Sequence, residues 1–236
     1  MNSPRSKASI CSILVLFSST LLILAQNSAF DSMEAFGKSR GKTDLKQVVG
    51  LTGSLGQDQP RQWLVLMKDT KIPNLMHEYA VEKGKIVGER HFSPDPDQNL
   101  PSVPLPLAQL NFDSADAFRI ATQAAVKGGI GFDSVNYLLR IHSTNPSPVW
   151  TLTLLDQQKN TVGIVFVSVS TGKLAGTKWY RPGSQEYIEV NSTSASDEIK
   201  DIWNRGVSTV SRGIQKLDKK IEKKLGRDKP TIDPAN

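Results

Sequence analysis

Residues 84–92 read Gly-Lys-Ile-Val-Gly-Glu-Arg-His-Phe, and residues 172–180 read Gly-Lys-Leu-Ala-Gly-Thr-Lys-Trp-Tyr. The two stretches share Gly-Lys, an aliphatic pair, a second glycine, a basic residue and two ring-bearing residues. Trp63 precedes Gly84 by 21 positions, and Trp150 precedes Gly172 by 22. Further upstream, Glu34-Ala35-Phe36 matches Asp116-Ala117-Phe118. Three matches in one order, at offsets of 82 to 88, mark an internal duplication, and that duplication governs the fold.

The second copy is the more legible. Asp113 or Ser114 is placed to cap a helix with Asp116 in its positively polarised first turn. Phe118, Ala121 and Ala125 recur on one face, and Gly128-Gly129 stops the helix. Val135, Tyr137, Leu139 and Ile141 then alternate with polar neighbours, as do Trp150, Leu152 and Leu154, the signature of half-buried antiparallel strands. Val162 to Val169 is nearly all apolar, which predicts a central strand covered on both faces. Gly172 fits the left-handed position of a three-residue hairpin loop with a bulge, and Leu174 to Tyr180 is the closing strand.

The first copy is degenerate. Met33 to Lys42 reads as a poor helix broken by Gly37 and Gly41. Val48–Leu55, Gln62–Met67, Tyr79–Glu82 and Lys85–Phe92 are its strands, and Glu82-Lys83-Gly84-Lys85 is expected to make the same turn as its counterpart. The fold class is therefore α+β: two small antiparallel-sheet-plus-helix modules in tandem, over residues 30–93 and 107–182. Prolines 94, 96, 101, 104 and 106 make residues 94–106 an extended linker.

The run Ala117-Phe118-Arg119-Ile120-Ala121, the Val149-Trp150 strand start and the Val169-Ser170-Thr171-Gly172-Lys173-Leu174 hairpin resemble the PepSY domain. The resemblance spans about 70 residues of the second copy and, more faintly, residues 33–92. It implies an exported protein, and an inhibitory or chaperone-like role towards a peptidase of the kind some PepSY-like propeptides have.

Beyond the duplication, the two ends of the chain stand apart. Arg5 and Lys7 precede an apolar run from Ile10 to Ala25, the pattern of a secretory signal, with cleavage expected after Ala25 or Ala29. Cys11 lies within that run, so the mature chain has no thiol and is expected to be periplasmic or extracellular without disulfides. Residues 194–226 read as an amphipathic helix with a stripe of Trp203, Val207, Val210, Ile214, Leu217, Ile221 and Leu225, followed by a tail over 227–236. Eight basic residues between Trp203 and Arg227 face only Asp218 and Glu222. Lys216, Lys219, Lys220, Lys223 and Lys224 are the candidate surface-binding residues, suited to an anionic surface, while the apolar stripe suits the protein's own sheet or a second copy. The rest of the mature chain is close to neutral, which argues against a nucleic-acid partner.

No catalytic, cofactor or metal residue is predicted. His77, His91 and His142 show no paired spacing of the zinc-site kind, and His91 is expected to pack or lie on the surface. No Gly-x-Ser-x-Gly elbow occurs, and Gly50-x-x-Gly53-x-x-Gly56 is not a phosphate loop. Gly84 and Gly172 are the turn glycines on which the two repeated hairpins depend. The expectation is a non-enzymatic exported binding or regulatory protein with a protein or envelope partner; the alternative is an envelope scaffold that uses its last helix for self-association or surface attachment.

Overall fold

The computed structural model describes residues 28–93, 100–142, 145–180 and 187–188. The segment expected to be a signal, the helix expected over 194–226 with its five lysines and residues 227–236 lie outside the described residues. Helix α1 (Ala29–Arg40) and the single turn α2 (Lys42–Leu45) precede strands β1 (Val48–Gly56), β2 (Trp63–Lys68), β3 (Met76–Glu82) and β4 (Lys85–Phe92). A 3-10 turn (Leu107–Gln109) and helix α3 (Ser114–Lys127) follow, then β5 (Ser134–His142), β6 (Asn145–Leu155), β7 (Thr161–Ser168), β8 (Leu174–Tyr180) and the two-residue β9 (Tyr187–Ile188). Among the described residues no helix is long and apolar enough to cross a membrane.

The α+β class holds, but the modules are not separate. All the described strands form one antiparallel sheet in the order β4-β3-β2-β1-β5-β6-β7-β8-β9. Each half is a helix followed by a four-stranded meander, and the halves join through β1 and β5. Thr52 pairs with Leu138 and Leu51 with Leu139 along that seam. Joining there leaves neither first strand as an unpaired edge, which would otherwise be open to association with other chains.

Both hairpins that close the halves carry the same irregularity. The β3–β4 ladder shifts between Ala80 and Val81, so Ala80 pairs with Gly88 and Val81 with Ile86. The β7–β8 ladder shifts between Phe166 and Val167, so Phe166 pairs with Gly176 and Val167 with Leu174. Val87 and Ala175 are the extra residues of two equivalent β-bulges. Gly84 (φ 72°) and Gly172 (φ 66°) both occupy the left-handed region, as their turns require. The loops themselves differ. Lys83 (φ 50°) and Gly84 make a two-residue turn between the paired Glu82 and Lys85. Around Gly172 the loop is four residues long, not three: the N–H of Ser168 donates to the Lys173 carbonyl, and the N–H of Gly172 to the Ser168 carbonyl.

Helix α1 also departs from expectation. It starts at Ala29, where Ser28 and Asp31 form a reciprocal capping box, and runs through Gly37 to Gly41. Gly37 is tolerated because Leu45 of α2 packs on it: a Cβ there would stand 3.0 Å from the Leu45 side chain. The caps and burial phase align Ala29 with Ser114, Ser32 with Ala117 and Phe36 with Ala121, all buried. Phe36 therefore corresponds to Ala121, one turn away from the match with Phe118 that the letters suggest.

The two helix N-termini meet. The N–H of Ala29 donates to Ser114 Oγ (3.0 Å) and that of Phe30 to Asp113 Oδ1 (3.1 Å), while Ser114 Oγ donates to Gln59 Oε1 (2.6 Å). These bonds satisfy N–H groups that a helix start leaves without intrahelical partners.

Helix α1 packs on β2, β3 and β4, and α3 on β6, β7 and β8, from one side of the sheet. Trp63 and Trp150 lie beneath, fully buried, with ring centroids 6.0 Å apart and Tyr137 touching both. Each such ring buries enough area for a gross gain of roughly 4–6 kcal/mol. Trp150 Nε1 donates to the Phe112 carbonyl (3.0 Å), which satisfies the indole. The linker is not a free spacer in its second part. Leu105 is buried in this core, and its N–H donates to the Val48 carbonyl (2.8 Å).

The opposite face is a mosaic of apolar Leu66, Leu138, Ile164 and Phe166 with polar Asn136, Thr151, Thr153 and Arg140, all under 9% exposed. No described helix lies on this face. As expected, β7 is covered on both sides. Burial lowers the Arg140 pKa to about 10.

Candidate functional site

On the helix side of the first half, chemistry takes the place of packing beyond the end of α1. Strand alternation puts His77, Tyr79 and Val81 of β3 on this side, and the bulge at Val87 puts Glu89 and His91 of β4 there too. His77 pairs with His91, and Tyr79 with Glu89. The His77 and His91 ring centroids are 4.3 Å apart, close to edge-on. The histidines therefore do not stand alone.

The bulge also explains why the pairing is hard to foresee. A regular ladder from the Glu82–Lys85 pair would set His77 against Arg90. The one-residue insertion moves the register so that His91 takes that position. Arg90 instead reaches Glu78 on the other side of the sheet, with Nη2 to Oε2 at 2.7 Å.

A ring of oriented groups holds the cluster. His77 Nε2 lies 2.7 Å from Asp69 Oδ2. Asp69 Oδ1 in turn accepts from the backbone N–H of Lys71 (2.6 Å) and Ile72 (2.7 Å), the usual Asp-led turn. The His77 hydrogen bond, followed by these two N–H groups, holds the Asp69 carboxyl down at about 2. A carboxylate has only acceptors, so Nε2 of His77 carries the proton and, in the neutral ring, Nδ1 carries a lone pair. That Nδ1 is buried and makes no hydrogen bond. It faces Glu89 Oε1 at 3.8 Å.

Glu89 Oε1 lies 2.8 Å from His91 Nε2. That hydrogen bond is the main reason the Glu89 carboxyl sits below its usual range, with Tyr79 and Arg40 adding to it. The Tyr79 hydroxyl is pushed up to about 12, first by burial and then by Glu89. Arg40, in the last turn of α1, stacks over the Tyr79 ring at 5.1 Å, and Phe36 touches the same ring at 5.0 Å. One donor atom from each of His77, Glu89 and His91 lies within 4.8 Å of the other two. The His77 side chain is 13% exposed, Glu89 38% and His91 51%, so the cluster has a closed floor and an open mouth.

The second half fills the same place differently. Register maps Trp63 on Trp150, Val81 on Val167, Tyr79 on Val165 and His77 on Gly163. Gly163 pairs with Trp179, the counterpart of His91. The Trp179 ring lies against Gly163, where a Cβ would stand 2.5 Å from it, and its Nε1 edge lies against Gly128 at the end of α3. Val165 pairs with Thr177, which stands where Glu89 does. One half seals this position with an indole; the other lines it with imidazoles and a carboxylate.

Of the residues singled out in the sequence, Gly84 and Gly172 close equivalent hairpins, and the Phe112 ring covers the place where a Gly172 Cβ would project. Lys216, Lys219, Lys220, Lys223 and Lys224 lie outside the described residues. The His77–Glu89–His91 cluster is what sequence reasoning missed; the signal available was that 77 and 79 share one strand parity, as do 89 and 91, on either side of a Gly84 turn. No family model, curated protein or solved structure matches the chain.

Proposed function

We propose that this protein is an exported, non-enzymatic binding or regulatory protein built on tandem PepSY-like modules, and that its first module is the ligand-bearing half. One observation carries this reading. The two halves agree down to the bulge, yet only the first exchanges a packed Gly163–Trp179 pair for the half-open His77–His91 pair. Giving up an indole contact worth roughly 3–5 kcal/mol costs stability, and a ligand site accounts for that departure.

Export to the periplasm or beyond is part of the proposal. Cleavage after Ala25 leaves the Ser28 cap and the Ala29–Ser114 bond in place; cleavage after Ala29 removes both. The first point is therefore the one this reading requires, and mass analysis of the secreted chain distinguishes them. The PepSY resemblance points to a peptidase as the regulated partner. Titrating the mature protein into secreted peptidases of the same organism tests this. Inhibition that weakens with His91→Gln supports the reading, and undiminished peptidase activity at saturating protein rejects the peptidase branch. Steady turnover by the purified protein in a broad substrate screen would overturn the non-enzymatic assignment.

The scaffold alternative rests on the helix expected from the sequence over 194–226, outside the described residues. Deleting residues 194–236 tests it, because unchanged assembly and unchanged membrane partition remove its basis.

A further inference from the structure

We infer that His77 Nδ1, His91 Nε2 and a Glu89 carboxylate oxygen form a binding site for a divalent late first-row transition ion of the Zn2+ class. This rests on the first half being the ligand-bearing one and names what it carries.

The donor set suits that class. Two imidazole nitrogens with one carboxylate favour zinc, copper, nickel or cobalt, whereas calcium and magnesium take all-oxygen sets. Metal–ligand bonds of about 2.0–2.1 Å at the tetrahedral angle put ligand atoms about 3.3 Å apart. The separations from Glu89 Oε1 bracket that value, at 2.8 Å to His91 and 3.8 Å to His77. Each needs to move by about half an ångström to reach it. Glu89 and His91 are the exposed members, so they adjust while His77 stays fixed. Binding replaces the His91–Glu89 hydrogen bond: Nε2 is freed by transfer of the single ring proton to Nδ1 in the neutral imidazole, or by its loss to solvent from the imidazolium. Three protein ligands leave a further coordination position at the open mouth, for water or a side chain of a partner.

The surroundings are those of an oriented ligand. A metal-bound histidine commonly donates its second ring nitrogen to a carboxylate, which fixes the tautomer and turns the free lone pair to the ion. Asp69 does this for His77, and two backbone N–H groups fix Asp69. The result is a buried Nδ1 lone pair without a hydrogen bond, aimed between a carboxylate and a second imidazole. A buried polar atom left in this way needs a partner, and an ion is the one that its neighbours also suit.

The test is titration of the untagged mature chain with Zn2+ by calorimetry, and with Co2+ followed by its visible bands. About one equivalent of Zn2+ is expected to bind, with Mg2+ and Ca2+ failing to displace it. Co2+ is expected to give the intense absorption of a four- or five-coordinate nitrogen–oxygen site. His91→Gln and Glu89→Gln should abolish that spectrum. His142→Gln, which changes the remaining histidine of the sequence, should leave it intact. Asp69→Asn is expected to weaken binding by roughly 10–100-fold and shift the Co2+ bands, as befits a positioning residue. Near-ultraviolet circular dichroism of Trp63 and Trp150 confirms that each variant is folded. Absence of saturable Zn2+ binding, or binding unchanged in both His91→Gln and Glu89→Gln, overturns the inference. Peptidase inhibition by a protein that fails to bind Zn2+ would sink the ion site and leave the regulatory reading standing.

Discussion

The first and second halves fill one backbone plan in two ways, and the cross-strand pair beside each closing hairpin shows how. In the second half Trp179 covers Gly163 and is itself capped by Gly128, so helix, glycine and indole make a sealed stack. In the first half α1 ends earlier relative to its sheet, and Arg40, Tyr79 and the histidines occupy the space beyond it. The comparison teaches that a duplicated meander keeps its register while its side chains change role. Equivalent bulges hold the positions, and what stands there decides whether the half is sealed by an indole or lined with imidazoles and a carboxylate.

The largest test removes the seal. Trp179→Ala should cost about 3–5 kcal/mol in urea unfolding, because the ring is only 3% exposed and the glycine beneath cannot refill the space. A cost below about 1 kcal/mol would mean that the second half is not a packing unit.

Next come the paired bends. Gly84→Ala meets the cost of a left-handed backbone, about 1–2 kcal/mol. Gly172→Ala meets the same cost and a collision with the Phe112 ring, so its loss of stability should be the greater. Equal losses would show that the Phe112 contact yields freely.

The helix starts give a smaller, shared effect. Asp113→Ala removes acceptors for both Ser114 and Phe30 and should cost about 1–2 kcal/mol, against about 1 for Ser28→Ala, which caps only its own helix. Coupling between the two, measured by a double-mutant cycle, would show that the halves are fastened at this point. Additive losses would show that they are not.

The smallest effect on stability falls at the site. His91→Gln should shift unfolding by no more than about 0.5 kcal/mol, since the side chain is half exposed, while removing the stabilisation that Zn2+ gives the wild-type chain. A large loss in the metal-free protein would make His91 a packing residue like its counterpart Trp179.

Much of this architecture is legible from residue order alone, for a local reason. Period-two alternation marks Val135–Ile141 and Trp150–Leu154, and the ends of β4 and β8 are legible because a turn glycine precedes each. The α3 cap at Asp113 follows from side-chain chemistry within a few residues. The α1 start is harder to read, since its capping box at Ser28 and Asp31 lies close to the apolar N-terminal run and its interior holds Gly37.

What the chain determines by itself is thus the list of strands, helices and bends, and the fact that they come twice, because alternation and turn chemistry act between near neighbours. Tertiary structure alone decided that β1 would pair with β5 and fuse two modules into one sheet. It also decided that Trp63 would touch Trp150, and that a one-residue bulge would bring His77 opposite His91 rather than Arg90. Those outcomes depend on register between distant segments, where a slip of one residue turns every side chain to the other face.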